Sequence, residues 1–214
     1  HFVLRQLPEH IRTSHVLVTQ WDGFVVEPRA WSHEFLAHDY VGAVWPEQPA
    51  ARSVGNGGFS LRSRRFLAAG MDPRITEEHP EDQVMCRTWR DHLEREHGVR
   101  FAPPALARRF AFENEAPRVP TFGFHGPCNL PRFMDEPALA ALLDELPDDF
   151  FRSRDARRLA RTMLRRNMPD AVLQVQRRRL AAGRADWPMR ALALAAGAQR
   201  LARRMAPGST QGQP

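Results

Sequence analysis

The chain of 214 residues contains no Lys, a single Tyr and only two Cys, at positions 86 and 128. Two cysteines cannot build the disulfide framework of a small secreted domain, and we expect Cys86 and Cys128 to be reduced thiols in a reducing compartment. No apolar run reaches the roughly 18 residues that a membrane span needs. Residues 1–12 also lack the pattern of a signal peptide. We therefore expect a cytoplasmic protein.

The sequence also lacks the short motifs of several large enzyme classes. It contains no G-x-G-x-x-G or Walker loop, no Cys-x-x-Cys or His-Glu-x-x-His motif, and no Ser/His/Asp hydrolase signature. Any active site must therefore be built from other residues.

The charge of the chain is uneven. All 31 basic residues are Arg and the formal net charge is +6, with most of the surplus between Arg152 and Arg204. A basic surplus can attract nucleic acid, anionic lipid or phosphorylated ligands. No nucleic-acid motif and no interleaved aromatic residues accompany the Arg, so we expect no nucleic-acid partner. Two interpretations stay open: solvated amphipathic helices, and peripheral contact with the inner face of an anionic membrane.

Short strands and helices alternate along the first part of the chain, which predicts an α/β layered core. The predicted strands cover residues 15–20, 39–45 and 99–102, and the predicted helices cover 29–38, 62–69 and 80–96. After residue 131 only helices are predicted, over 136–146, 153–168, 170–182 and 188–205. We expect a core over residues 1–130, an Arg-rich helical extension over 131–206 and a disordered tail over 207–214.

Two local patterns could carry chemistry. The segment Gly55-Asn56-Gly57-Gly58 allows close approach of a ligand to the backbone, although a tight turn before a strand would use the same residues. Four carboxylates lie between Glu77 and Asp82 at a predicted helix start, where a carboxylate is either a cap or an outward-pointing general base.

Asp22 and His125 form a third pattern. Asp22 directly follows a predicted buried strand, where ligands of α/β proteins collect. An Asp and a His are suitable partners for a divalent metal, although a lone His is more often structural or simply exposed.

The order of these pieces resembles the bacterial glycosyltransferase-like family DUF5672 and, more distantly, other enzymes of the GT-A type. The resemblance covers roughly residues 9–127 and rests on five segments: Gln20-Trp21-Asp22-Gly23-Phe24, Asp39-Tyr40-Val41-Gly42-Ala43-Val44-Trp45-Pro46, Val54-Gly55-Asn56-Gly57-Gly58-Phe59-Ser60-Leu61-Arg62, Pro80-Glu81-Asp82 and Phe122-Gly123-Phe124-His125-Gly126. It implies a GT-A-like fold, in which a Rossmann-like mixed sheet is flanked by helices.

The resemblance also implies roles for single residues. Glu81 and Asp82 match the acidic pair that supplies the catalytic base in inverting members, and Asp82 is the expected base. Asp22 and His125 match the metal ligands, with Mn or Mg as the expected ion. Gln20 stands where the first acid of an Asp-x-Asp motif is expected. The residues expected to bind donor or acceptor are Gln20, Trp45, Asn56, Gly57 and Gly58.

A GT-A fold normally begins with a nucleotide-binding segment before the Asp-x-Asp strand, whereas some 14 residues precede that strand here. The resemblance therefore implies a core that lacks its N-terminal part.

Three functional hypotheses follow. The first is an inverting glycosyltransferase that moves a sugar from a nucleotide-sugar donor to a hydroxyl of a bacterial glycan or glycolipid. The second is a degenerate relative that binds a glycan or scaffolds a partner enzyme, which Gln20 and the short N-terminal part favour. The third is a nucleic-acid binder that uses the Arg-rich segment.

Overall fold

The computed structural model describes residues 2–205. The chain divides after Gly126 into two compact units. Residue 130, where we expected the core to end, lies within a 3-10 turn, Pro127–Arg132. The predicted disordered tail, 207–214, and residue 206 lie outside the described residues.

The first sheet of the first unit has three antiparallel strands in the order β1 (His15–Thr19), β4 (Phe59–Ser63) and β3 (Tyr40–Gly42). Strand β4 is central, and its register sets Thr19 opposite Phe59 and Tyr40 opposite Arg62. All five residues of β4 are buried. The polar members Ser60 and Arg62 therefore need partners inside the protein.

The second sheet contains three two-residue strands in the order β2 (Phe24–Val25), β6 (Gly123–Phe124) and β5 (Ala111–Phe112). Strand β6 is parallel to β5 and antiparallel to β2. The three strands therefore share one end of the sheet, where β5 and β6 finish and β2 begins. Three polar side chains emerge there: Asp22, Glu113 and His125.

The helices of the first unit are α1 (Leu7–His10), α2 (Arg64–Ala69), α3 (Glu81–Gln83), α4 (Arg90–His97) and α5 (Pro104–Phe110). The Ser63 hydroxyl caps α2 by accepting from the Phe66 amide at 3.1 Å. Gly98 ends α4 in the left-handed conformation, with φ at 60°. The apolar core consists of two clusters, one around Tyr40, Phe66 and Met85 and the other around Phe35, Phe59 and Phe110.

The second unit consists of α6 (Glu136–Glu145), α7 (Asp148–Arg152), α8 (Arg154–Arg165), α9 (Pro169–Ala181) and α10 (Trp187–Met205). Arg179 of α9 is buried, donates to the Ser153 carbonyl at 2.8 Å and pairs with Asp186. Burial would raise the pKa of Asp186, but hydrogen bonds from Arg179 and the Met189 amide, with the charge of Arg179, outweigh it and hold that pKa below its usual range. Within residues 2–205 no helix is long and apolar enough to cross a membrane.

The structure confirms the α/β class and the helical C-terminal region, and it corrects several local predictions. Residues 29–38 form two 3-10 turns, Pro28–Ala30 and His33–Ala37, because the Ser32 hydroxyl accepts from the Glu34 amide and starts a second turn. The predicted helix over 80–96 is divided by a π-helical turn, Val84–Thr88. The predicted strand over 99–102 contributes one β-bridge, between Tyr40 and Phe101.

A buried ion pair connects β4 to the segment that carries the predicted acidic pair. Arg62 is only 1% exposed. Its Nη1 lies 2.6 Å from Glu81 Oε1 and its Nη2 lies 3.1 Å from Oε2, while its Nε donates to Ser60 Oγ at 2.9 Å. The guanidinium also lies against the rings of Tyr40 and Phe66. Its desolvation lowers the pKa of Arg62, but the charge of Glu81 and the other contacts outweigh it and hold that pKa above its usual value.

We expect Glu81→Gln to lower the free energy of unfolding by about 3 kcal/mol, because it leaves the buried Arg62 charge uncompensated. The matched control is Asp91→Asn, which breaks an exposed pair with Arg52 and should cost less than about 1 kcal/mol. Urea unfolding of both variants measures the difference. An equal decrease in the free energy of unfolding for both variants would show that the Arg62–Glu81 pair stabilises the fold no more than a surface pair does.

Candidate active site

The glycine loop, Gly55–Gly58, is closed by the side chain of Asn56. Asn56 is buried and has a left-handed φ of 63°, a conformation that Asn tolerates better than most residues. Its Oδ1 accepts from the Gly58 amide at 3.3 Å, and its Nδ2 donates to Glu113 Oε2 at 2.6 Å. Asn56 therefore fixes the loop and ties it to the segment after β5.

Neither Gly57 nor Gly58 has a positive φ, so the reason for glycine here is close packing, which is tight at Gly57 and excludes a side chain at Gly58. A Cβ at Gly57 would lie 3.0 Å from Glu81 Oε2, and a Cβ at Gly58 would overlap the His125 ring. The loop backbone is thus in direct contact with both the acidic pair and His125.

His125 lies among three oxygen-bearing side chains. Its Nε2 is 3.1 Å from Gln20 Oε1 and 3.3 Å from Asp22 Oδ1, and its Nδ1 is 3.4 Å from Glu113 Oε1. Burial alone would lower the pKa of His125, but hydrogen bonds and charge from Asp22 and Glu113 outweigh it and raise the pKa to about 9. The imidazole is therefore a cation at neutral pH.

The two acids of Pro80-Glu81-Asp82 have different surroundings. Glu81 is held by both terminal nitrogens of Arg62. Asp82 accepts from backbone amides, with Oδ2 at 3.2 Å from Gly57 N and Oδ1 at 2.9 Å from Gln83 N. Within residues 2–205 Asp82 forms no ion pair, and it is partly exposed. Asp82 is therefore the acid of this pair that is available to a ligand.

Eight of the nine residues predicted for the site belong to one connected set of contacts: Gln20, Asp22, Asn56, Gly57, Gly58, Glu81, Asp82 and His125. We call this set, together with Arg62 and Glu113, the glycine-loop network. Trp45 lies elsewhere: it is 8% exposed, its ring packs on Gly55, and the Arg87 guanidinium is 5.6 Å from the ring centroid. The ring of Trp45 thus supports the loop from inside the protein.

The sequence analysis missed two members of this network. Glu113 directly follows β5, so the rule that selected Asp22 after its strand would also have selected Glu113 had β5 been recognised. Arg62 stood at the start of the helix predicted over 62–69, although Phe59 and Leu61 also alternate with Ser60 and Arg62 as in a strand. The structure makes it the fourth residue of β4. The signal available in the sequence was a charged residue at a strand position between apolar residues, since a charge that is buried there needs a partner.

An open cavity of about 500 Å³ borders the network through Glu113. Its lining combines apolar and charged side chains: Val44, Ala105, Arg108, Arg109, Ala111, Phe112, Glu113, Glu115, Ala116, Pro117, Arg118 and Val119. Arg109 pairs with Glu34 at 2.7 Å. Arg108 and Arg118 form no ion pair within residues 2–205 and are exposed, so they can meet an anion.

A second cluster, Asp72, His92 and His97, also has the composition of a metal site. Both imidazole Nε2 atoms lie on Asp72 Oδ2, at 2.8 and 2.9 Å. Arg74 Nη2 occupies the same oxygen at 2.8 Å, while its Nε and amide hold Oδ1. These contacts, chiefly those from Arg74, keep the pKa of Asp72 well below its usual range. Because a cation already neutralises this carboxylate, we assign the cluster to joining the segment after α2 to α4.

Comparison with known proteins identifies one family. The family described as "Protein of unknown function (DUF5672)" matches residues 6–125, which is more than half of the chain. The matched range contains the whole glycine-loop network. No curated protein and no solved structure matches the chain.

We expect His125 of metal-free protein to titrate near pH 9 and Asp22→Asn to lower that pKa, because it removes one of the two carboxylates. A raised folded-state pKa stabilises the fold fully below about pH 6.5, and the contribution is lost as the pH rises through about 9. It amounts to at most about 3 kcal/mol. NMR titration in the presence of a chelator measures the pKa, and urea unfolding between pH 6 and 10 measures the stability. A pKa near 6.5 for His125 in the wild-type protein would contradict the close contacts with Asp22 and Glu113.

Proposed function

The chain belongs to the DUF5672 family, and on that premise we propose that it is a glycosyltransferase of GT-A type that moves a sugar from a nucleotide-sugar donor to a hydroxyl of a bacterial glycan or glycolipid. One observation carries the proposal. The glycine loop, the acidic pair and the histidine segment are far apart in sequence, yet they form one network in which Asp82 is partly exposed and, among the described residues, forms no ion pair.

Asp82 is proposed as the general base. An acceptor hydroxyl is a weak nucleophile, so a carboxylate must take its proton as the oxygen attacks. In a single displacement the acceptor oxygen bonds to the anomeric carbon, and the bond from that carbon to the donor phosphate breaks. The electron pair leaves with the nucleoside diphosphate and the hydroxyl proton passes to Asp82. This one step inverts the anomeric configuration.

Glu81 is proposed as a positioning residue. Both of its carboxylate oxygens are engaged by Arg62, so neither is directed at a substrate. The pair instead fixes the start of α3, and the neighbouring Asp82 is then held by the amides of Gly57 and Gln83. A base held this way loses little freedom on reaching the transition state.

The residues around His125 fit a divalent cation. Asp22 Oδ1 is buried and lies 3.3 Å from His125 Nε2, and Gln20 Oε1 lies 3.1 Å from the same nitrogen. Oxygen donors with one imidazole suit Mn²⁺ or Mg²⁺. These three side chains would hold the ion, which when bound would neutralise charge on the leaving diphosphate. Binding would require His125 to lose its proton.

The cavity beside Glu113 is proposed to receive the diphosphate part of the donor. Arg108 and Arg118 are the cations of its lining that are free to bind an anion, while Val44, Ala111 and Phe112 offer an apolar surface. Guanidinium groups match phosphate oxygens in charge and geometry. The cavity also shares Glu113 with the network, which would bring donor and base together.

A non-catalytic glycan-binding or scaffolding relative is the second candidate. Gln20 favours it, because a neutral amide stands beside His125 where a second carboxylate would bind a cation more strongly. In that case the network would bind a sugar and leave the donor uncleaved.

We expect Asp82→Asn to lower donor turnover about 10²–10⁴-fold with little change in donor binding, because it removes a base and keeps the shape of the side chain. The assay is release of nucleoside diphosphate from a panel of UDP and GDP sugars with Mn²⁺, and calorimetry measures binding. Asp91→Asn is the matched control and should keep full activity. If wild-type protein binds sugars and no donor is cleaved, the second candidate is correct. Undiminished turnover by Asp82→Asn would disprove the base.

We expect the double variant Arg108→Gln/Arg118→Gln to weaken binding of UDP or GDP about 10-fold or more, because each removes a charge-assisted contact with phosphate. Calorimetry with the free nucleotides measures this without any turnover. Arg100→Gln is the control, since that side chain is exposed, does not line the cavity and, within residues 2–205, forms no ion pair shorter than its 4.0 Å contact with Asp39. Equal affinity of wild type and double variant would place the diphosphate elsewhere.

A further inference from the structure

Helix α10 carries an apolar stripe that faces away from its own unit. Its members follow each other at intervals of four and three residues, which places them on one side of an α-helix. The six exposed side chains, which we call the outer stripe, are Trp187, Ala191, Leu194, Ala198, Leu201 and Met205. The buried residues of the helix, Met189 and Ala196, lie on the opposite side.

The exposure of the outer stripe is unusually high for residues of this kind. Trp187 and Leu194 are each 78% exposed, Met205 is 75% exposed and Leu201 is 59% exposed. The helix has 19 residues, so the stripe extends over roughly 28 Å. These side chains contribute almost nothing to the core of the second unit. A continuous apolar surface of this length is typical of a contact with another apolar phase.

The charge of the second unit indicates which kind of apolar phase the outer stripe would contact. Residues 127–214 contain 16 Arg and 9 acidic residues, a net charge of +7, whereas residues 1–126 contain 15 Arg and 16 acidic residues, a net charge of −1. The basic surplus of the chain therefore lies entirely in the unit that carries the outer stripe. An anionic surface would attract this unit and not the other.

The charges on α10 itself argue against pairing with a second copy. The helix contains no acidic residue. Arg200 and Arg203 pair with Asp170 and Glu136, while Arg190 and Arg204 form no ion pair within residues 2–205. Two copies joined through the outer stripe would have no acidic partner on either helix for Arg190 and Arg204. The phosphates of an anionic lipid surface would supply the missing negative charge.

We propose that α10 binds the surface of an anionic lipid bilayer, with its axis in the plane of the membrane. The outer stripe enters the interface between headgroups and acyl chains, and Trp187 is well suited to that depth. Arg190 and Arg204 lie on the same flank of the helix and reach the lipid phosphates with their side chains extended. This contact does not depend on the proposed transferase activity, so either proposal can fail without the other.

Vesicle sedimentation with the whole chain tests this. Wild-type protein should bind vesicles of equal parts phosphatidylcholine and phosphatidylglycerol and should not bind pure phosphatidylcholine. Leu194→Gln/Leu201→Gln should lower the partition coefficient at least about 10-fold, because it removes two apolar side chains that would be buried in the bilayer. Arg190→Gln/Arg204→Gln should lower it several-fold, and added salt should weaken wild-type binding.

The control variant is Leu180→Gln, which changes an exposed leucine of α9 in the same unit and should leave binding unchanged. Circular dichroism shows whether each variant keeps its helices. Equal binding of wild type and Leu194→Gln/Leu201→Gln to the anionic vesicles would overturn the proposal. So would a wild-type dimer, seen by light scattering, that the same double variant converts to a monomer, since the stripe would then be a contact between copies.

Discussion

The buried guanidinium of Arg62 is the constraint from which the geometry of the candidate site follows. A charged group taken out of water needs a counter-charge and a full set of hydrogen-bond acceptors. Glu81 supplies the charge, and Ser60 Oγ and the Gly57 carbonyl supply further acceptors. Satisfying Arg62 therefore fixes the start of α3 against the glycine loop. Asp82, the next residue, is left to meet the Gly57 amide and solvent.

Eight residues of the glycine-loop network were predicted from the order of their segments, since each type alone also suits a turn, a helix cap or a structural histidine. Two adjacent glycines, an acidic pair after proline and a histidine between glycines could be identified without knowing the strands around them. The α/β class and the helical region after residue 131 followed from the spacing of apolar residues. Trp45 was predicted to bind donor or acceptor, whereas its ring is buried against Gly55; an aromatic side chain looks the same in sequence whether it packs inside or outside a loop.

The elements that were missed have little local signal. Strands β2, β5 and β6 have two residues each, too few for any alternation to show, and they exist because they pair with one another. The prediction of one helix over residues 29–38 was wrong because the Ser32 hydroxyl accepts from the Glu34 amide and begins a second turn. Glu113 was missed because β5, the strand that it follows, was not predicted. Tertiary contacts decide which distant segments pair, and a single sequence carries no direct information about those contacts.

The charge balance of the site suggests how it would accept a phosphorylated donor. Four carboxylates of the glycine-loop network, Asp22, Glu81, Asp82 and Glu113, face only two cations, Arg62 and protonated His125. A diphosphate would add to this negative excess. Arg108 and Arg118 in the adjoining cavity offset part of it, and a divalent ion at His125 would offset more. An ion bound there would compete with the His125 proton for Nε2, and until it bound the proton would balance part of the negative charge of this buried site.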